Sequence, residues 1–234
     1  MLEIRDYEVM GFRMAIKGMR NALSSWDKSD SYIANINNKN KGSFREACGY
    51  QPDYIIGEND LKLCKKLIKA GSSDRKFLRM IHVQVNVLAP LYWWKEADQY
   101  KVGTTTNSCS TMHTIHKKDF TLDDFSHEHL YPVYDGKTFV TNIDGTITLL
   151  NILRKEYIRT KDKKLWYQMI QMLPSSYNQM RTWDLDYETL MSIYFQRRNH
   201  KLNEWHTFCD WILTLPYMKE FIEVLDKKEG SNEQ

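Results

Sequence analysis

Between Tyr92 and Ile115 the chain reads YWWKEADQYKVGTTTNSCSTMHTI. After Gly103 it becomes a run of small hydrogen-bonding side chains: Thr104, Thr105, Thr106, Asn107, Ser108, Ser110 and Thr111. None of these is a strong acid or base at neutral pH. Together they are donors and acceptors suited to orienting a polar ligand, or to a polar connection. A second candidate is basic: Arg197, Arg198, His200 and Lys201 close a helical stretch beside Trp205. Cations there complement the negative end of a helix, which is a sufficient structural reason for them. An arginine pair beside an indole can also clamp a phosphate through paired hydrogen bonds. His127 and His129 flank Glu128, and His113 and His116 stand at helical spacing. With no nearby cysteine partner and no HExxH sequence, no metal is expected at either pair. GxGxxG, GxxxxGK(S/T) and GxSxG are all missing, so dinucleotide, P-loop and hydrolase readings lack their motifs.

The elements that position these residues follow from the hydrophobic pattern. Met1–Met10 alternates loosely as a first strand. A helix over Met14–Trp26 would set Met14, Met19, Ala22, Leu23 and Trp26 on one side. Residues 30–56 are polar and form a long loop. A helix follows Gly57, with the stripe Leu61, Cys64, Leu67 and Ile68 and a stop at Lys69 and Gly71. Ile81, Val83, Val85 and Val87 alternate with His82, Gln84 and Asn86, the mark of a strand buried on one face. Pro90 fits the first turn of a helix over Leu91–Gln99. Of Trp93 and Trp94, one is expected against the strand and the other at an interface or a ligand. Two Asp-Gly pairs, Asp135-Gly136 and Asp144-Gly145, predict a hairpin insertion within 117–146. Helices at Ile147–Arg159 and Lys163–Met172, an extended Tyr177–Leu185, helices at Asp186–Asn199, Asn203–Pro216 and Met218–Leu225, and an exposed tail 227–234 complete the chain. The expected class is α/β (α+β): a small sheet with many helices, in one domain over 1–226.

Composition narrows the function. The net charge of +3 arises from 33 basic and 30 acidic residues, too even a balance to predict nucleic-acid binding by bulk electrostatics. Basic stretches at Lys161–Lys164 and Arg197–Lys201 leave a stacking groove for nucleic acid as a weaker option. The cysteines Cys48, Cys64, Cys109 and Cys209 form no CxxC pair and read as reduced thiols of a cytoplasmic protein. No signal peptide is expected from the charged first residues, and with no apolar run of about 18 residues no membrane span is expected.

The order of these pieces resembles the flavin-dependent thymidylate synthases. That family runs from a glycine loop into a strand ending Ala-Pro, a helix, and a loop of pattern RHRxxSxNExSxRY. A later block reads LP…W…NxRxLxxFxxxR…HAQWE. Here the Gly71 loop, Phe77 with its strand, Ala89-Pro90 and the helix to Gln99 match the first part. KVGTTTNSCSTMH occupies the motif loop. Leu173-Pro174, Trp183, Leu190-Met191 and Arg197 fall in register with the later block. The correspondence covers roughly residues 55–113 and 147–215.

The resemblance implies a pyrimidine nucleotide such as dUMP held by Gln99, Lys101, Ser108, Ser110 and Arg197. It implies FAD at Thr105, Asn107, Asp186, Glu188 and Lys201, no metal, and a homotetramer. It also shows departures. Tyr100, Lys101 and Val102, or Gln99, Tyr100 and Lys101 with a one-residue shift, replace the RHR triplet, and Asp186 and Glu188 replace the flavin-contacting Asn and Arg; Arg197 is unchanged. Pyrophosphate and phosphate sites rely on guanidinium donors, whereas these acids could pair with Arg181, Arg197 or Arg198. Two readings stay open. One is one-carbon transfer to C5 of the pyrimidine on a retained flavin. The other is a nucleotide-binding or protein-interaction module that has lost flavin chemistry.

Overall fold

A computed structural model describes residues 1–34, 54–131, 133–134, 136, 139–140 and 143–229. Strand β1 (Glu3–Met10) turns through Gly11 into helix α1 (Phe12–Met19). Gly11 has φ +98°, and a β-carbon there would lie 2.1 Å from the Met80 carbonyl oxygen, so only glycine allows this close approach. α1 buries Phe12, Ala15 and Ile16 and is shorter than expected. Beyond it the chain makes 3-10 turns at Asn21–Leu23 and Trp26–Lys28, and Met14, Leu23 and Trp26 are exposed. The cause is Arg20, which is buried and donates to Asp60 and to the Ser25 carbonyl, drawing the chain into a turn.

β2 (Tyr32–Ile33) and β3 (Tyr54–Ile55) pair antiparallel. Residues 35–53 of the expected long loop lie outside the described residues. α2 (Glu58–Ala70) buries Cys64 and Ile68 as expected, together with Asp60. In β4 (His82–Pro90) the alternation holds, with Val83, Val85 and Val87 buried. α3 (Leu91–Ala97) stops two residues before the expected end. Trp93 and Trp94 are both fully buried, edge to face with centroids 4.9 Å apart, so neither stands at a surface. The hydroxyl-rich run is not a free loop: it forms strand β5 (Thr104–Ser108) and a helical turn, α4 (Thr111–Thr114).

β6 (Val133–Tyr134) and β7 (Phe139–Val140) form the expected small hairpin. Asp144-Gly145 is no turn but part of α5 (Ile143–Thr160). α6 (Lys163–Met172), β8 (Asn178–Asp186), α7 (Tyr187–Arg197), α8 (Asn203–Ile212) and α9 (Met218–Glu229) follow near their expected bounds. The main sheet has the order β1-β4-β8-β5, which makes β5 an edge strand. None of the described helices is long and apolar enough to cross a membrane.

The chain divides into two compact units, and β4, β5 and β8 each run from one into the other. One unit comprises Met1–Glu3, Val87–Gln99 and Asn107–Arg181. Its core gathers Ile115, Phe120, Phe125, Leu150, Leu153 and Met169 where α5 packs on α6. The other comprises Ile4–Asn86, Tyr100–Thr106 and Thr182–Gln234. There Ile16, Ile68, Phe77, Leu185, Leu190, Trp205, Phe208 and Phe221 are buried. Each fully buried side chain of this size contributes about 1.5–3 kcal/mol, which fixes the ends of α7 and hence the polar groups they carry.

Candidate functional site

Within the unit that contains Tyr100–Thr106, the candidate residues gather at the two ends of α7. At its start, the Tyr187 amide donates to the carbonyl of Ile81, the residue before β4, at 2.9 Å. Asp186 is the N-cap, and its Oδ1 accepts from the Thr189 amide at 2.7 Å. The chain before β5 closes over this cap. Gly103 has φ +71°, and its carbonyl accepts from the Asp186 amide at 3.3 Å. The Thr189 hydroxyl donates to the Val102 carbonyl at 3.3 Å. A β-carbon on Gly103 would lie 2.2 Å from Asp186 Oδ2, so Asp186 and Gly103 fill one another's space.

Glu188 is held by two arginines. Arg75 Nε donates to Oε1 at 3.0 Å and Arg79 Nε donates to Oε2. The hydrogen bond and charge of Glu188 raise the Arg79 pKa further above its ordinary value. The expected partners were Arg181, Arg197 or Arg198. Instead Arg181 pairs with Asp98 at 2.7 Å and Arg198 with Asp226 at 2.5 Å. The sequence does not single out Arg75 and Arg79. Their i, i+4 spacing was the available signal, but nothing in it points to an acid more than a hundred positions away.

At the C-terminal end of α7, Arg197 Nε donates to the Tyr100 hydroxyl at 2.8 Å, and that hydroxyl donates to Gln196 Oε1 at 3.0 Å. The guanidinium also lies 5.5 Å from the Tyr100 ring centroid and 4.9 Å from that of buried Trp205, within cation–π range of both. Tyr100 is fixed in turn, because Thr104 Oγ1 donates to its carbonyl at 2.5 Å. The two arginines therefore do not form a two-armed clamp, since Arg198 turns to Asp226 and stacks on Phe195. Lys101, Thr105 and Lys201 are exposed in the same unit.

The remaining candidates belong to the other unit. Gln99, Asn107 and Ser108 are exposed. Ser110 caps α4 through the His113 amide. Gln179 Nε2 donates to the Cys109 carbonyl at 2.8 Å and to Thr111 Oγ1 at 3.3 Å. Its Oε1 accepts from Arg181, whose guanidinium stacks on Trp94 at 4.5 Å. His127 Nδ1 bonds the Phe125 carbonyl, and among the described residues no cluster of three or more His, Cys, Asp or Glu could hold a metal ion. Burial pushes the thiols of Cys64 and Cys209 up to about 12, whereas Cys109 is exposed.

A small sheet flanked by helices is the architecture of the flavin-dependent thymidylate synthases, and the chain has their fold. The similar solved structures include the flavin-dependent thymidylate synthase of Helicobacter pylori with FAD and dUMP. It shares 13% identity over 94% of this chain and 95% of that one, with a TM-score of 0.58. A UMP/dUMP methylase from Streptomyces cacaoi bound with 5-Br dUMP shares 13% identity over 92% of this chain and 88% of that one, with a TM-score of 0.50. No protein-family model matches the sequence, and no curated protein matches it.

Proposed function

We propose that this chain binds a pyrimidine nucleotide such as dUMP, with Arg197 and Lys101 meeting its phosphate or base. The observation that carries the reading is the fixation of Arg197. A guanidinium bonded through Nε to Tyr100 and stacked on two rings keeps its planar fork in one orientation, which lowers the entropy lost when an anion docks. The fold adds support, since its solved examples include proteins holding dUMP and 5-Br dUMP.

The residues at the implied flavin positions do not fit a flavin pyrophosphate at the start of α7. Asp186 caps that end with its own carboxylate and is packed against Gly103, and Glu188 brings a second carboxylate beside it. Arg75 and Arg79 already donate to Glu188, and the Thr189 amide to Asp186, so a pyrophosphate placed there would have to displace the chain's own carboxylates from the donors it needs. The reading is therefore a nucleotide-binding protein that keeps the fold without holding FAD in the family's manner.

Thermal unfolding with and without dUMP tests the first part. The midpoint rises with dUMP, and Arg197→Met reduces that rise measured from its own unliganded midpoint. A flat response to dUMP, UMP and dTMP overturns nucleotide binding. An absorbance spectrum tests the second part, because protein that is yellow and releases flavin on denaturation overturns the flavin-free reading.

A further inference from the structure

A cavity of about 390 Å³ lies in the Ile4–Asn86 part of its unit, and Arg197 is not among the residues that line it. Arg13, Lys17, Arg20, Trp26, Tyr32 and Tyr54 line it. Its wall is organised by one fully buried carboxylate. Asp60 accepts from Arg20 Nε at 2.5 Å, from the hydroxyls of Ser29 and Ser31 at 2.7 and 2.6 Å, and from the amides of Asp30 and Ser31 at 3.3 and 3.2 Å. Asp30 in turn accepts from the amides of Asn59 and Asp60 at 2.9 and 3.1 Å, and Ser31 Oγ accepts from the Gly57 amide at 3.1 Å. Residues 29–31 are thus tied to the first turn of α2, and the wall is fixed by internal bonds rather than by a ligand.

The charge balance of this cavity leaves two cations over. Arg20 and Asp60 neutralise one another. Arg13 and Lys17 stand one turn apart on the exposed side of α1, and among the described residues neither has an ion-pair partner. Beside them Trp26 is 47% exposed, yet its indole N–H donates to Asn21 Oδ1 at 2.9 Å, so an uncovered ring is held by its polar edge. Tyr32, 59% exposed, offers a second ring. Cations able to grip an anion, next to a restrained aromatic face, match a ligand with a charged group and a flat one.

We propose that this cavity binds a small phosphorylated aromatic, such as a nucleoside monophosphate, with Arg13 and Lys17 on the phosphate and Trp26 stacked on the ring. Calorimetric titration of the full chain with 1-naphthyl phosphate, 1-naphthol and inorganic phosphate tests it. The naphthyl phosphate binds at one site, at least about tenfold tighter than either fragment. Arg13→Gln with Lys17→Gln weakens it by about tenfold or more at an unchanged unfolding midpoint. Trp26→Ala weakens it too, and Arg197→Met does not. Each basic position is also changed singly, so a folding defect in the double variant leaves the test intact. The proposal is overturned if the naphthyl phosphate gives no binding heat, or if neutralising Arg13 and Lys17 leaves affinity unaltered. Loss of binding in Arg197→Met also overturns it, because the probe then occupies the other site.

Discussion

Asp186 Oδ2 lies only 2.2 Å from where a β-carbon on Gly103 would stand. Gly103→Ala therefore meets both a left-handed backbone and a carboxylate that is itself capping α7. It should lower stability by about 2 kcal/mol or more in urea unfolding. Asp186→Ala alone loses the cap at a cost of about 1 kcal/mol, while Asp186→Asn retains most of it. The double variant Gly103→Ala with Asp186→Ala should be less destabilised than the sum of the two, because the shared clash is gone.

Glu188 should couple unequally to its two arginines. The Arg75 side chain is 21% exposed and that of Arg79 is 51% exposed. Solvent screens the second pair more strongly. Double-mutant cycles with Glu188→Gln should give roughly 1 kcal/mol or more with Arg75→Met and a clearly smaller coupling with Arg79→Met. Equal couplings would contradict the geometry.

Asp60 makes a prediction about pH. Burial raises its pKa, but hydrogen bonds from Ser31, Ser29 and Arg20, with the Arg20 charge, outweigh it and hold the carboxyl below its ordinary 3.8. The unfolded chain then takes up the proton more readily than the folded one. The stabilisation is complete above the unfolded value and is lost as pH falls through the folded value, so the window lies in strong acid. Asp60→Asn should remove this acid slope from the unfolding midpoint. At neutral pH it should cost about 3–5 kcal/mol, since the buried Arg20 loses its counter-charge.

Thiol labelling should separate the cysteines. Cys64 and Cys209, buried and raised to about 12, hold almost no thiolate at pH 8, whereas Cys109 is exposed. Mass spectrometry after brief alkylation of the native protein should find Cys109 modified and the two buried thiols protected until denaturant is added.

The parts of the fold legible in the sequence were those with a periodic signature. The alternation Val83, Val85, Val87 gave a strand buried on one face, and the helices from Lys163, Asn203 and Met218 began where expected. What stayed illegible depends on pairs distant in sequence. Arg20 looks like an exposed helix residue until Asp60 is brought to it, so the pattern predicts a longer α1 than forms. The partners of Glu188 were missed for the same reason. Thr104–Ser108 lacks apolar alternation because it is an edge strand with little to bury, so polar composition alone read as loop. The Ser29-Asp30-Ser31 triplet did carry a local signal: hydroxyls and a carboxylate suited to capping, though the helix they serve begins beyond residue 56.

The Asp60 hub also constrains how this sequence can drift. Ser29 can be exchanged, because its hydroxyl is one donor among several to the same carboxylate, whereas the Ser31 hydroxyl also accepts from the Gly57 amide and is harder to replace. Arg20 and Asp60 are different: changing either strands a buried charge, so a descendant can lose the pair only by losing both. The two positions should vary together among homologues, as a hydrophobic couple or as this ion pair, with mixed combinations missing.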